Sequence, residues 1–210
     1  MDMEVVQMEM KNMQTKGAGM RSPRKKTFKN RFTAKRLALM AVFVALSFCV
    51  SLLSFSIFPA SPVFFLELDF GNVFILLISF LLGPLEGVLV CVLKEVLRIM
   101  AGSTGGVGEL ANMLMTSAYI LFPSIVYRYK KGIKSVAWTL LAACFIGTGV
   151  ALLVNRFITF PLFLGEQGVA VFMEGFWLIV AFNFIKTVSI GILTLLLYKR
   201  LSNFLKTMKI

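Results

Sequence analysis

A glycine-rich stretch is the first place in this chain where residue types and spacing suggest chemistry. "GSTGGVGELAN", residues 102–112, holds four glycines in its first seven positions. Within it, Gly106-x-Gly108-x-x-Ala111 fits the loose dinucleotide-binding pattern, in which a glycine turn lets backbone N–H groups approach a pyrophosphate. That chemistry also requires a preceding strand, a following helix and a ribose-binding acid in one βαβ unit. The surrounding elements decide whether this context exists.

A second set of candidates consists of polar side chains inside long apolar runs. These are Lys94, Glu95, Arg98, Arg156, Lys186, Asn112, Asn155 and Asn183. Charged and strongly polar side chains are costly inside a membrane-spanning segment, so each of these residues is a functional candidate by default. Asn183 and Lys186 lie three residues apart and share one face of a helix. For Lys94, Glu95 and Arg98, an ion-paired cluster with long side chains reaching outward is the alternative.

The composition places these residues in an integral membrane protein. The 210 residues are 58% hydrophobic and 15% charged, with a mean hydropathy of +0.85, whereas soluble domains average about 45–50% apolar and about 25% charged residues. One soluble core could not bury so much apolar surface. The chain has no histidine, and its three cysteines lie in apolar runs without a Cys-x-x-Cys pair, so we predict neither a metal site nor a bound cofactor.

The apolar residues group into six segments that must position the candidates. They are Leu37–Ile57, Phe70–Leu82, Pro84–Met100, Val107–Tyr127, Val136–Phe160 and Gly175–Tyr198. A spanning helix needs about 20 residues, so four fit, the third is marginal and the second is short. The second and third meet at Gly83-Pro84, a natural helix break, and could form a re-entrant hairpin. We favour two spans, with the second beginning near Phe64, and predict an all-α fold of six transmembrane helices.

The distribution of basic residues along the chain tests the count of six spans. Six spans place the N-terminus, the 128–134 loop and the C-terminus on one side, with 18 of the 22 basic residues. The positive-inside rule then puts both termini in the cytoplasm. We expect residues 1–33 to be a disordered basic tail, 34–201 the membrane domain and 202–210 a second cytoplasmic tail. Because the basic residues flank the spans, they indicate on which side of the membrane each loop lies. For the same reason we predict no nucleic-acid partner. The opposite loops carry only acids: Glu67, Asp69, Glu109, Glu166 and Glu174.

This topology places the glycine-rich stretch outside, between the third and fourth spans. No βαβ context surrounds it, and the chain has no Gly-x-x-x-x-Gly-Lys-Ser/Thr loop for ATP hydrolysis. The stretch is therefore either a flexible external turn or a loop whose backbone approaches a ligand closely. The interior polar residues cluster between the outer surface and the midplane, which favours a pocket opening outward over an ion path across the membrane.

Three stretches resemble a known family. "LDFGNVFILLISFLLGPLEGVLVCVLKEVLRIMAGSTGGVGELANMLM", with "NRFITFPLF" and "NFIK", resembles the riboflavin-specific substrate-binding (S) component of energy-coupling factor (ECF) transporters over residues 34–200. The resemblance implies six helices enclosing one vitamin near the outer face of a bacterial plasma membrane. Such a protein is not an enzyme. It captures riboflavin and delivers it through a module of one membrane scaffold protein and two ATPases.

The resemblance also implies a set of binding residues. Asn155, Asn183 and Lys186 match positions that bind the polar edge of the flavin. Asp69, Gly102 and the 105–112 loop, which includes Glu109 and Asn112, match the rim, and Lys94 completes the predicted site. The chain departs from the family's common pattern at Gly71-Asn72, where Ser-Asp is frequent, and at Arg156, where Tyr is frequent. The added cation at Arg156 leaves FMN open as the ligand.

The first span carries a candidate docking surface. "ALMAVFVAL" places Ala38, Ala41 and Ala45 close to one helical face. The resemblance implies that this Ala-x-x-x-Ala pattern docks on the scaffold protein, and packing within the chain is the alternative.

Other functions stay open. The chain could bind another vitamin, or it could be a stand-alone secondary transporter, although it shows no internal repeat and no interrupted helix pair at the midplane. A membrane enzyme would need a paired nucleophile and base, which the sequence lacks. A Phe-rich pocket with a few Asn and Lys donors suits the flat, uncharged isoalloxazine ring.

Overall fold

The computed structural model of this protein describes residues 33–58, 61, 63, 65–102 and 105–207. One compact unit runs from Lys35 onward. The predicted basic tail, residues 1–33, lies outside the described residues except for its last position, and so do residues 208–210. The three-part division of the chain therefore stays a prediction.

The described residues are helical apart from one short antiparallel ladder. The helices are α1 (Ala34–Ser51), α2 (Asn72–Leu82), α3 (Pro84–Ala101), α4 (Val107–Tyr129), α5 (Ile133–Val154), α6 (Phe160–Leu164), α7 (Gly168–Glu174) and α8 (Phe176–Thr207). The ladder joins β1 (Phe55–Ser56) to β2 (Glu67–Leu68). A π-helical turn (Asn155–Thr159) links α5 to α6, and a 3-10 turn (Gly165–Gln167) links α6 to α7.

Four of these helical stretches are long and apolar enough to cross a membrane: α1, α4, the continuous stretch from α5 to α7, and α8. The other two predicted spans are different in kind. α2 has 11 residues, which reach only about 16 Å at 1.5 Å per residue. α3 has 18 residues but carries Lys94, Glu95 and Arg98 in its second half. The predicted start near Phe64 is wrong, because residues 67–68 pair as a strand and α2 begins only at Asn72.

A tight hairpin joins α2 to α3. Gly83 has a φ of 131°, a conformation that favours glycine, and Pro84 starts α3 at the position where a missing N–H costs nothing. A Cβ at Gly87 would lie 2.5 Å from Cβ of Ser79, so the two backbones are in close contact. Ile75, Leu76 and Ile78 of α2 are fully buried. The short α2 is therefore enclosed by its neighbours.

Two apolar clusters hold the helices together. The larger one surrounds α2 and takes side chains from α1, α3, α4, α5 and α8. The smaller one is rich in phenylalanine and lies where α5 ends and α8 begins. In it Phe65 stacks on Phe163 with ring centroids 4.5 Å apart and meets Phe160 edge-on at 5.1 Å.

The bundle has two chemically different ends. At one end Tyr127 and Tyr198 share a hydrogen bond of 2.6 Å, Arg36 approaches Glu86 at 3.9 Å, and the exposed basic loop 128–134 follows directly. At the other end the C-terminus of α3 meets the N-terminus of α4, the end of α5 and the first third of α8. The interior polar residues gather at this second end.

The alanine stripe on α1 faces away from the rest of the described chain. Ala38, Ala41 and Ala45 are all exposed, whereas Phe43 and Val44 on the opposite face are buried against the bundle. The described residues therefore do not support the alternative that this stripe packs within the chain. Its role in docking stays a prediction.

Candidate functional site

A cavity lies at the end of the bundle where α3 meets α4. Its empty space is about 490 Å³, including the part that is open to solvent. One wall comes from α3, α4 and the segment 65–69, and the other from the π-turn and α8. We call these the charged wall and the amide wall, after the side chains that each presents.

Most of the predicted site residues line this cavity. They are Asp69, Glu109, Asn112, Asn155, Asn183 and Lys186. Two predicted residues do not. Lys94 lies behind the charged wall with no exposed surface, so it supports the wall from inside, and its part in binding stays a prediction. Gly102 caps the C-terminus of α3 with a φ of 76°, the left-handed conformation that commonly ends a helix.

Lys94 is the centre of a buried ion cluster. Its ammonium group donates to a carboxylate oxygen of Asp69 and, at 2.6 Å, to Glu95. Arg98 beside it donates to Glu67 at 2.9 Å and lies 3.7 Å from Asp69. The predicted ion pairing is therefore present, but Lys94 pairs inward instead of reaching outward. A buried charge needs such partners because it has lost its hydration.

Asp69 ties this cluster to the first helix. Its carboxylate accepts hydrogen bonds from Ser51 Oγ at 2.6 Å and from the Gly71 N–H at 2.8 Å. A Cβ at Gly71 would overlap Ser51 Oγ and the Ser47 carbonyl. A side chain therefore does not fit at position 71 unless Ser47 and Ser51 move.

Asn112 connects the ion cluster to α8. Its amide nitrogen donates to Glu95 at 2.5 Å, and its oxygen accepts from Lys186 at 3.0 Å and from Asn72 at 3.0 Å. A chain of hydrogen bonds therefore runs from Lys94 through Glu95 and Asn112 to the Lys186 ammonium. This chain fixes the position of Lys186 at the cavity surface.

The amide wall presents two buried atoms that have no hydrogen-bond partner among the described residues. They are Nδ2 of Asn155 and Oδ1 of Asn183, and both residues are at most 1% exposed. Asn183 Nδ2 donates to the Ile179 carbonyl at 2.8 Å, which fixes the side-chain orientation. Buried polar atoms are normally paired, so this donor and this acceptor suit a ligand that carries the complementary groups.

The π-turn explains how Asn155 reaches the wall. Pro161 has no N–H, and its ring would clash with the Phe157 carbonyl in a regular α-helix. A π-helical turn just before the proline widens the helix, as is common at functional sites. Both Asn155 and Thr159 line the cavity. The sequence analysis did not select Thr159. The one feature that could have marked it is Pro161, which disturbs the helix just after it.

Arg156 points elsewhere. It is only half-buried and does not line the cavity, and its guanidinium lies 5.6 Å from the centroid of the exposed Phe157 ring. Arg156, the added cation that left FMN open as the ligand, therefore lies outside the cavity. Sequence reasoning also missed the aromatic lining, Phe65 and Phe182, because the chain has 21 phenylalanines and nothing in their spacing marks these two.

Residues 35–198 match the model of the family described as the ECF transporter, substrate-specific component. The chain belongs to this family. As an S component it is a multi-pass protein of the bacterial plasma membrane and a member of a transporter family, not of an enzyme family.

Similar proteins agree with the family assignment. The chain is 32% identical over 180 residues to the riboflavin transporter RibU of Staphylococcus aureus (strain TCH60), covering 82% of this chain and 93% of that protein. It is 29% identical over 133 residues to the riboflavin transporter FmnP of Bacillus subtilis (strain 168), covering 62% and 67%. A solved S component of a bacterial ECF transporter has a TM-score of 0.71 at 34% identity, covering 82% of this chain and 98% of that one. The predicted family is confirmed, and so is an all-helical fold like that of a solved S component. The count of six spans stays a prediction.

The ion cluster yields a stability prediction. Lys94→Met leaves Asp69 and Glu95 buried without their main cation, so we expect the free energy of unfolding to fall by about 3–5 kcal/mol. Arg156→Met is the matched control, because it also removes an interior basic residue but breaks only a ring contact. Thermal unfolding of both purified variants in detergent measures the difference. Equal unfolding midpoints in the two variants would contradict the role of Lys94.

Proposed function

We propose that this S component captures riboflavin in the cavity between the charged wall and the amide wall. The observation that carries the proposal is the unpartnered pair on the amide wall, the Asn155 donor and the Asn183 acceptor. The pyrimidine edge of isoalloxazine offers the complement, an N–H group flanked by two carbonyls. Asn183 Oδ1 accepts from that N–H, Asn155 Nδ2 donates to one carbonyl, and the Lys186 ammonium donates to the other.

The aromatic lining supports the same ligand. Phe65 and Phe182 line the cavity beside the amides, and aromatic rings pack well against a flat conjugated ring system. Two similar proteins are named riboflavin transporters. In this proposal the flavin is cargo and not a cofactor, and the chain carries out no chemistry on it.

Flavin binding is expected to depend on the amide wall. Asn183→Ala and Lys186→Ala each leave a group of the ligand unpaired, so we expect each to weaken riboflavin binding by about 1–3 kcal/mol, roughly 5- to 150-fold. Quenching of flavin fluorescence by the purified chain measures the affinity. Arg156→Ala, which removes a cation outside the cavity, should bind like the wild type. Wild-type affinity in both cavity variants would place the site elsewhere.

We further propose six membrane crossings with both termini in the cytoplasm. α1, α4, α5 and α8 each cross alone, and α2 and α3 cross as the antiparallel hairpin joined at Gly83. The short α2 is extended by the segment 65–71, whose polar backbone is enclosed by protein and so avoids lipid. The basic loop 128–134 supports a cytoplasmic location for the end opposite the cavity.

Cysteine labelling tests this orientation. In a Cys49→Ser background, which removes the exposed native cysteine, Gln167→Cys should react with an impermeant maleimide added to intact cells. Lys131→Cys should react only after the membrane is permeabilised. Both positions are exposed in the folded chain, so accessibility reports the side of the membrane. Labelling of Lys131→Cys in intact cells would overturn the topology.

The last part of the proposal concerns delivery. We propose that Ala38, Ala41 and Ala45 on α1 dock on a scaffold protein that acts with two ATPases. Their shared exposure on one face of α1, within the described part of the chain, supports this. Small residues let two helix backbones approach closely in lipid, where packing drives association.

Bulky substitutions test the docking face. Ala41→Trp or Ala45→Trp should leave riboflavin binding by the isolated chain unchanged, because the stripe is remote from the cavity, but should abolish ATP-dependent uptake and co-purification with the ATPase module. Leu46→Trp, an exposed substitution on the flank of the same helix, is the matched control and should dock normally. If the alanine variants lose flavin binding while still co-purifying, the docking assignment is wrong.

A further inference from the structure

The N-terminus of α4 has the features of an anion site that the chain itself has filled. It follows a glycine-rich turn and begins a helix of 23 residues, and such helix termini attract phosphate through free N–H groups and the helix dipole. Here Oε2 of Glu109 accepts a hydrogen bond from the Gly106 N–H at 3.1 Å. Glu109 is only 2% exposed and lines the cavity. Its carboxylate therefore lies where a phosphate would otherwise bind.

The charges around Glu109 disfavour a second anion. The charged wall also carries Glu67, Asp69 and Glu95, each of which lines the cavity. The cations among them are already engaged: Lys94 binds Asp69 and Glu95, and Arg98 binds Glu67 and the Ser51 carbonyl. Four carboxylates thus meet two cations on this wall. Lys186 of the amide wall lines the same cavity and adds a third cation, so the carboxylates still exceed the cations by one. An added phosphate would increase an existing excess of negative charge.

We infer that Glu109 makes the cavity selective for a flavin whose side chain ends in an uncharged polyol, against one that ends in a phosphate ester. The inference rests on the proposed riboflavin site. Once the ring edge is bound at the amide wall, the side chain of the flavin extends toward the charged wall. Hydroxyl groups there can donate to carboxylates, whereas a phosphate, which only accepts hydrogen bonds at neutral pH, is repelled.

Glu109→Gln separates charge from structure. Glutamine at the third position of a helix can still bond to the N-terminal N–H, so the variant keeps the cap and loses the negative charge. Glu166→Gln is the matched control, because Glu166 is exposed, lies outside the cavity and follows α6 near the same end of the bundle. Fluorescence titration of the purified wild type and both variants with riboflavin and with FMN gives the two affinities.

We expect wild type to bind riboflavin at least about tenfold more tightly than FMN. Glu109→Gln should raise the affinity for FMN relative to that for riboflavin by about tenfold, whereas Glu166→Gln should leave both affinities unchanged. An unchanged riboflavin-to-FMN ratio in Glu109→Gln, or tighter binding of FMN than of riboflavin by wild type, would overturn the inference. Failure of wild type to bind riboflavin at all would overturn the proposed function itself.

A measurement on wild type alone covers the case in which Glu109→Gln does not fold. Screening weakens repulsion between like charges, so raising the salt concentration from about 0.05 M to about 0.5 M should tighten FMN binding relative to riboflavin. The riboflavin-to-FMN affinity ratio should therefore fall as salt is added. A ratio that stays constant or rises would contradict repulsion by the charged wall.

Discussion

The ammonium group of Lys94, buried without contact with solvent, is the constraint on which the arrangement of this bundle depends. Its partners come from different segments, Asp69 from the loop before α2 and Glu95 from α3. Asp69 in turn binds Ser51 at the end of α1, and Glu95 binds Asn112 of α4. Desolvation makes an unpaired charge costly, so the helices are held in the one arrangement that satisfies all of these groups.

Such a network has particular value in a membrane. Apolar transfer does little to bring helices together in lipid, because the lipid chains are as apolar as the side chains. Packing around the enclosed α2 supplies close contact, but it does not by itself fix where polar groups lie. The hydrogen-bond chain ending at Lys186 does so. The same groups that hold the helices therefore shape the cavity surface.

The sequence predicted the long apolar helices from local composition, and six of the predicted site residues line the cavity. Two of the six, Asp69 and Glu109, came from the family resemblance. Asn155, Asn183 and Lys186 could be found as polar residues in apolar runs. The pairing of Lys94 with Asp69 could not, because it joins residues 25 positions apart and leaves no periodic signal. Likewise the short α2 follows from pairing of residues 67–68 with a distant strand. The π-turn depends on a single proline, Pro161. It could not be predicted, because the same proline also fits an ordinary helix break.

The two atoms of the amide wall that have no hydrogen-bond partner in the described part of the chain, Nδ2 of Asn155 and Oδ1 of Asn183, also bear on how a bound molecule leaves. A ligand that bonds to Asn155 and Asn183 removes a desolvation cost that the empty cavity carries, and its departure restores that cost before any compensating contact forms. The dissociation rate is therefore slow for the same reason that capture is tight. Each tenfold gain in affinity adds about 1.4 kcal/mol that release must supply. In the proposed function, delivery then requires an outside source of free energy, because thermal motion alone would release the bound molecule slowly and through the end of the bundle at which the cavity lies.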